Sequence, residues 1–501
     1  MPLAIANIAK YRCQIAGMAL KGDSNDHKEA ATMEPAYPQS RRSFIGRSGG
    51  LATACAVMAG LPGGAAKAQP AAARPASAKP ATEAGKRVPS EQHYLLSNVR
   101  LEEGFVYDSD VVTGTRSGLH TLEIKAGKIA AIHAAGAALP AGVPSYQANG
   151  QLALPAMRDM HIHLDKTFYG RAWQAPLPRQ GKTILDMIAR EEKLIPQLLP
   201  DSQEHAEQLI ALLHSKGTTV ARSHCNIDPV SGLKSLENLK RALENHRDDF
   251  SCEIVAFPQH GLLLSNVDKL MREAMSMGVA YVGGLDPTNV DGAMERSLDA
   301  MFQIALDTGT GVDIHLHESS PAGVAAIQYM IATVEKNPAL RGKVTISHGF
   351  ALATMAPGAL DEAATRMAAQ GISVASTVPL GASTMPLPQL SAKGVFVMTG
   401  TDSVTDHWSP FGRADMLEKA NLYAQLYRGS DEFRLSRALA IATGGVLPLT
   451  DKGERSWPKA GDDADFTLVP ASCSAEAVAR LPERSATFHR GRMVFGGVGA
   501  A

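Results

Sequence analysis

The 501-residue chain has little cysteine. Its five, Cys13, Cys55, Cys225, Cys252 and Cys473, include no C-x-x-C pair, which excludes a zinc ribbon and a thioredoxin-like redox motif. Two of them lie in an N-terminal segment read below as removed. The odd three that remain make a disulfide framework untenable, and Cys225 and Cys252 fall in expected strands as small buried apolar side chains. Neither sign of charge is in excess: 49 Lys and Arg face 50 Asp and Glu, a net charge of -1. A polyanion or an anionic membrane surface is therefore not an expected partner. No apolar run is long enough for a comfortable membrane span; the mildly apolar stretch 51–61 is short and Gly-rich. No Gly-x-Gly-x-x-Gly follows the first strand of the central region, which disfavours a dinucleotide-binding fold. With 45% hydrophobic and 20% charged residues, what is left is an ordinary soluble globular composition, long enough for one catalytic barrel and a small accessory domain.

The N-terminus has its own order. Ser40-Arg41-Arg42-Ser43-Phe44-Ile45-Gly46 precedes the run 51–61, and Ala66-Lys67-Ala68 puts small residues where a signal peptidase reads them. This resembles a twin-arginine signal, so residues 1–68 are expected to engage the twin-arginine export machinery, with a mature start near Gln69 and a periplasmic location. Either Met1 or Met33 serves as the start. Residues 69–92, rich in Ala and Pro, read as a flexible tether.

From 93 to 154 short alternating runs are broken by Gly turns, such as Leu122-Glu123-Ile124-Lys125 and Lys128-Ile129-Ala130-Ala131-Ile132 around Ala126-Gly127. The stretch 455–498 has similar runs, and the two are expected to join into one small β-sandwich domain. Between them, over 155–454, short apolar runs alternate with helical stretches at 205–216, 267–277 and 297–308. About eight such units fit a closed (β/α)8 barrel.

Polar residues recur where these strands end, the active face of such a barrel. In Leu154-Pro155-Ala156-Met157-Arg158-Asp159-Met160-His161-Ile162-His163-Leu164-Asp165, strand alternation sends His161 and His163 to one face, where two imidazoles can hold one side of a divalent metal. His224, Gln259, His315, Glu318, His348 and Asp402 follow on later strands. A lone histidine at a strand end is usually structural; five or six such residues on successive strands are not explained that way.

His161-Ile162-His163-Leu164-Asp165, Phe257-Pro258-Gln259, His315-x-x-Glu318, Ser347-His348 and Asp402, with Arg222-Ser223-His224 and Trp408-Ser409-Pro410-Phe411-Gly412, resemble the amidohydrolase superfamily in its cytosine deaminase branch, over roughly 93–498. The resemblance implies one divalent metal, Zn or Fe, held by His161, His163, His315 and Asp402. A fourth strand without lysine, Ala280-Tyr281-Val282-Gly283-Gly284-Leu285-Asp286, favours one metal over two. It further implies that Glu318 carries the proton, His348 orients the attacking water and stabilises charge, and Asp402 shares in catalysis beside its metal role. Gln259, His317, Ser403, Trp408 and Asp286 are expected at the substrate, Gln259 both donating and accepting; His224 is expected to hydrogen-bond behind the ligands.

Three departures separate this chain from the cytosine enzymes. Ser403 replaces a second aspartate, His317 stands where an acid is usual, and the fourth strand ends in Leu285-Asp286-Pro287-Thr288-Asn289. The reaction class is thus firmer than the substrate. The expected activity is that of an exported metal-dependent aminohydrolase of a small N-heterocycle: a pyrimidine, triazine or creatinine-like ring. The alternatives are hydrolysis of an amide, carbamate or urea, and a non-catalytic periplasmic binding protein. No membrane span is expected in the mature form, and the oligomeric state stays open, a homo-oligomer included.

Overall fold

The computed structural model describes residues 86, 87, 89, 92–178, 183–319, 321–381 and 384–500. The expected export signal, residues 1–68, and most of the expected tether lie outside the described residues.

Eight parallel strands follow one another around a barrel in chain order: β1 (Met157–Ile162), β2 (Thr218–Asn226), β3 (Ser251–Phe257), β4 (Tyr281–Leu285), β5 (Gly311–Leu316), β6 (Val344–His348), β7 (Ser373–Ser376) and β8 (Val397–Thr399). The short β7 was not evident from sequence. Closure comes just past β8, where Asp402 N donates to His161 O at 2.7 Å and His163 N to Asp402 O at 3.3 Å. The same junction is clasped by Asp159, whose carboxylate accepts from Thr401 N at 3.0 Å and Thr401 Oγ1 at 2.5 Å. Gly400 lies so close to β1 that a Cβ there would stand 2.5 Å from the nitrogen and Cβ of His161, and closer still to its carbonyl oxygen. Backbone cannot yield as a flexible side chain can. Gly400→Ala is therefore expected to destabilise the fold by about 2–3 kcal/mol, measured by denaturant unfolding.

Helices pack outside. In Ser202–Ser215, Ala206, Leu209, Ile210 and Leu213 recur at helical spacing and are fully buried. An inserted helix, Ile184–Leu198, precedes it on the β1-to-β2 connection; the sequence reading did not identify it. Its start is fixed by a capping box between Thr183 and Asp186.

The stretches flanking the barrel meet in one ten-stranded, mainly antiparallel sheet. It is built on a long hairpin, His93–Asp108 with Val111–Lys125. The C-terminal strand Phe466–Val469 pairs antiparallel with Leu152–Pro155, so the two ends are zipped together immediately before β1. Among the described residues, no helix is long and apolar enough to cross a membrane.

Candidate active site

The parallel registers bring the histidines to one level: Leu285 pairs with His315, His315 with Ser347 and Leu316 with His348. Three of the strand ends leave regular geometry. Asp286, His348 and Asp402 have φ of 35°, 65° and 66°, a left-handed conformation that costs a non-glycine residue on the order of 1–2 kcal/mol and concentrates at functional sites.

His163 Nε2 is 3.3 Å from His315 Nε2 and 3.3 Å from Asp402 Oδ1, and His161 Nε2 is 3.4 Å from the same oxygen. The tautomers of His161 and His163 follow from the opposite side of each ring. His163 Nδ1 is 3.0 Å from the His224 carbonyl oxygen, so it must carry the proton. Ser347 Oγ donates to Asp313 Oδ1 at 2.6 Å, leaving its oxygen to accept from His161 Nδ1 at 2.8 Å. Burial, with Lys166 nearby, pushes His163 down to about 4, and burial holds His315 well below the usual range, so both rings are neutral. With the proton on Nδ1, His161 and His163 each turn a bare Nε2 toward the same carboxylate oxygen, Asp402 Oδ1, a repulsive arrangement unless a cation joins it. Tetrahedral ligands about 2.0–2.1 Å from a zinc ion sit about 3.3 Å apart, the spacing found. His161, His163, His315 and Asp402 thus suit a divalent metal.

Behind this group runs a buried polar chain. Asp313 Oδ2 accepts from Arg222 Nη1 at 2.8 Å, and Arg222 also donates to Glu253 Oε2 at 2.8 Å and Tyr281 OH at 2.8 Å. Such support orients ligand imidazoles. It was not read from the sequence, because Arg222, Asp313 and Ser347 are far apart along the chain. His224 hydrogen-bonds behind the ligands as expected, but not through its ring. Its support comes through its backbone carbonyl, while both ring nitrogens are buried without a hydrogen-bond partner.

In front lies a cavity of about 1000 Å³, lined by His163, His315, His348 and Asp402 on the metal side and by Gln259, Asp286, His317, Ser403 and Trp408 among the expected substrate contacts. Glu318 is 2% exposed and not part of that lining. Its Oε1 accepts from Thr288 N at 2.7 Å and Asn289 N at 2.6 Å, while Oε2 is buried without a partner. Burial raises its pKa above the usual glutamate value. Both ring nitrogens of His348 are likewise buried and unpartnered.

Two of these lining side chains are engaged by neighbours. Asp286 Oδ1 accepts from His317 N and Glu318 N at 2.6 and 3.2 Å, and Oδ2 pairs with His317 Nδ1 at 3.0 Å. The Gln259 oxygen accepts from Lys166 Nζ, 4% exposed, at 2.6 Å, which orients the amide and leaves its NH2 to donate to a ligand. Lys166 was missed by sequence reasoning, although it directly follows the His161–Asp165 stretch. Burial works against its charge, but Glu191, Asp406 and Asp165 outweigh that and raise its pKa. It lies 5.5 Å from the Trp408 ring centroid and 5.9 Å from that of Phe257.

Residues 195–495 match the amidohydrolase family. The chain is 59% identical over 460 residues to the uncharacterized protein YahJ of Escherichia coli (strain K12), spanning 92% of this chain and 98% of that one. It is 29% identical over 361 residues to the N-isopropylammelide isopropyl amidohydrolase of Pseudomonas sp. (strain ADP), spanning 69% of this chain and 87% of that one. The crystal structure of N-isopropylammelide isopropylaminohydrolase from Burkholderia multivorans ATCC 17616 superposes with a TM-score of 0.70 at 29% identity, over 80% of this chain and 98% of that one. The chain belongs to the amidohydrolase family and is a hydrolase of carbon–nitrogen bonds.

Proposed function

We propose that the protein is a metal-dependent aminohydrolase of an oxo-bearing N-heterocycle. The carrying observation is the pairing of a cluster suited to a cation (His161, His163, His315 and Asp402) with three hydrogen-bond donors on the cavity wall. Lys166, the NH2 of Gln259 and His317 line that wall. The ion pair with Asp286 offsets burial and raises the pKa of His317. These donors favour a ring carbonyl or an ionised ring nitrogen at the edge they face, because a buried unmatched polar group costs about 1–3 kcal/mol.

A divalent metal, Zn or Fe, would supply Lewis-acid activation of water at neutral pH. The chain's own residues do the rest. Glu318 takes the proton of the attacking water and returns it to the departing nitrogen. His348 holds the attacking oxygen and stabilises negative charge on the carbon's substituent. A C–N bond breaks, a C–O bond forms, and one water is consumed for each amine or ammonia released. The cavity exceeds what a single pyrimidine ring needs, and Ile184, Leu185, Met187 and Phe350 on its lining give apolar room for a substituent on the leaving nitrogen. The isopropylammelide relatives support this reading. The twin-arginine-like signal supports export to the periplasm.

The test is incubation of metal-loaded enzyme with N-isopropylammelide, ammelide, cytosine, creatinine and a pterin, scoring ammonia or amine release and the ring product. Turnover of acyclic amides or ureas with none of these rings would reverse the substrate class. Lys166→Met is expected to raise KM for the turned-over ring roughly tenfold to a hundredfold, the loss of one charged hydrogen bond, with kcat/KM read from steady-state kinetics.

A further inference from the structure

The inserted helix Ile184–Leu198 carries a fully buried carboxylate, Glu191, that no catalytic step above uses. Donors from three other parts of the barrel mouth converge on it. Its Oε1 accepts from Asn226 Nδ2 at 2.7 Å and lies 3.6 Å from Lys166 Nζ. Its Oε2 accepts from Trp408 Nε1 at 3.0 Å and lies 3.2 Å from His407 Nε2. Asn226 ends β2, Lys166 follows β1, and His407 and Trp408 follow β8. An amide at this position would offer one acceptor oxygen and turn an NH2 toward the remaining donors, so both oxygens of a carboxylate are needed.

The surroundings favour Glu191 as an anion. It lies near the ammonium of Lys166, as does Asp406, which burial raises. Burial acts on Glu191 in the same sense, but Lys166 and His407 outweigh it and hold it below the usual range. The two groups Glu191 grips, Lys166 and Trp408, both line the cavity, and so do Ile184, Leu185 and Met187 of its own helix. Lys166 in turn holds Gln259.

We propose that Glu191 is a positioning residue. Its buried carboxylate fixes Lys166 and Trp408 in the orientation in which they and Gln259 hold the substrate, and ties that wall to the inserted helix. The inference rests on the reading of this wall as the substrate side.

The test compares wild type, Glu191→Gln and Glu191→Asp as metal-loaded full-length enzymes, in kinetics and in a Trp173→Phe, Trp457→Phe background where Trp408 alone emits. At equal metal per chain, Glu191→Gln is expected to lower kcat/KM at least tenfold, chiefly through KM. It should also shift Trp408 emission and raise its quenching by acrylamide, with Glu191→Asp recovering part of each. A variant that melts earlier yet keeps wild-type KM and Trp408 emission would overturn the proposal, leaving Glu191 as structural glue. If Glu191→Gln does not fold, Asn226→Ala removes one arm of the same node; a raised KM supports the proposal and an unchanged KM overturns it. If the wild type turns over none of the rings, the aminohydrolase reading fails, and Trp408 emission and quenching alone decide the role of Glu191.

Discussion

Glu318→Gln is expected to lower kcat by roughly 10²–10⁴-fold, the usual worth of a positioned proton carrier, with metal content unchanged. The substitution keeps the shape of the side chain and an oxygen to accept from Thr288 N and Asn289 N, so the local backbone has no reason to move. What it removes is the ability to take up and give back a proton. Two features equip Glu318 for that task. One oxygen is anchored by two backbone N–H groups while the other is buried and unpartnered, so the carboxylate is held at one end and uncommitted at the other. Burial raises its pKa, toward the range in which a carboxyl both accepts from water and donates to a leaving nitrogen. The measurement is steady-state kcat beside metal per chain and calorimetric substrate affinity. Intact affinity with kcat reduced a hundredfold or more would separate an enzyme from a binding protein on the same scaffold. A kcat within tenfold of wild type would remove Glu318 from the proton path.

Much of this site was legible because its chemistry recurs at strand ends. His161, His163, His315, Glu318, His348 and Asp402 each stand at or just beyond a strand that hydrophobic patterning could find, and barrel topology brings such ends together whatever their separation in sequence. What escaped was of another kind. The strand Ser373–Ser376 is four residues long, too short for a periodic signal. Lys166 sits beside the most conspicuous motif in the chain, yet nothing local reveals that its ammonium is buried against Gln259; that pairing spans 93 positions. The Ser347–Asp313–Arg222 chain and the donors around Glu191 share this property. Each residue is unremarkable until burial removes water and leaves its partners as the only ones available. Asp286 and Gln259 show the converse: both line the cavity where the sequence reading placed them, and what the sequence did not reveal is that His317 binds the carboxylate of one and Lys166 the oxygen of the other.

Removal of the metal is expected to abolish turnover and lower the melting temperature, and two histidine variants decide which side chains hold it. His161, His315 and Asp402 can be completed by either of two neighbours. His348 has a nitrogen that joins theirs within a 4.8 Å cluster, whereas His163 Nε2 stands 3.3 Å from both His315 Nε2 and Asp402 Oδ1. A spacing of 3.3 Å is that of atoms sharing one small cation, and His163 alone of the two has its other nitrogen committed to a backbone carbonyl, which fixes the tautomer a ligand requires. His163→Ala is therefore expected to purify with less than about a tenth of the wild-type metal, by the usual 10–100-fold or greater loss of affinity when a site is broken. Its melting temperature should no longer respond to added metal. In the wild type, saturation at about a thousand times Kd is worth about 4 kcal/mol, a shift readily seen by calorimetry. His348→Ala should retain metal and its stabilisation while losing kcat, because its ring is assigned to the reacting oxygen. The opposite pattern, with His348→Ala metal-free and His163→Ala loaded, would exchange the two roles and require the attacking water to be held from the β1 side of the cavity.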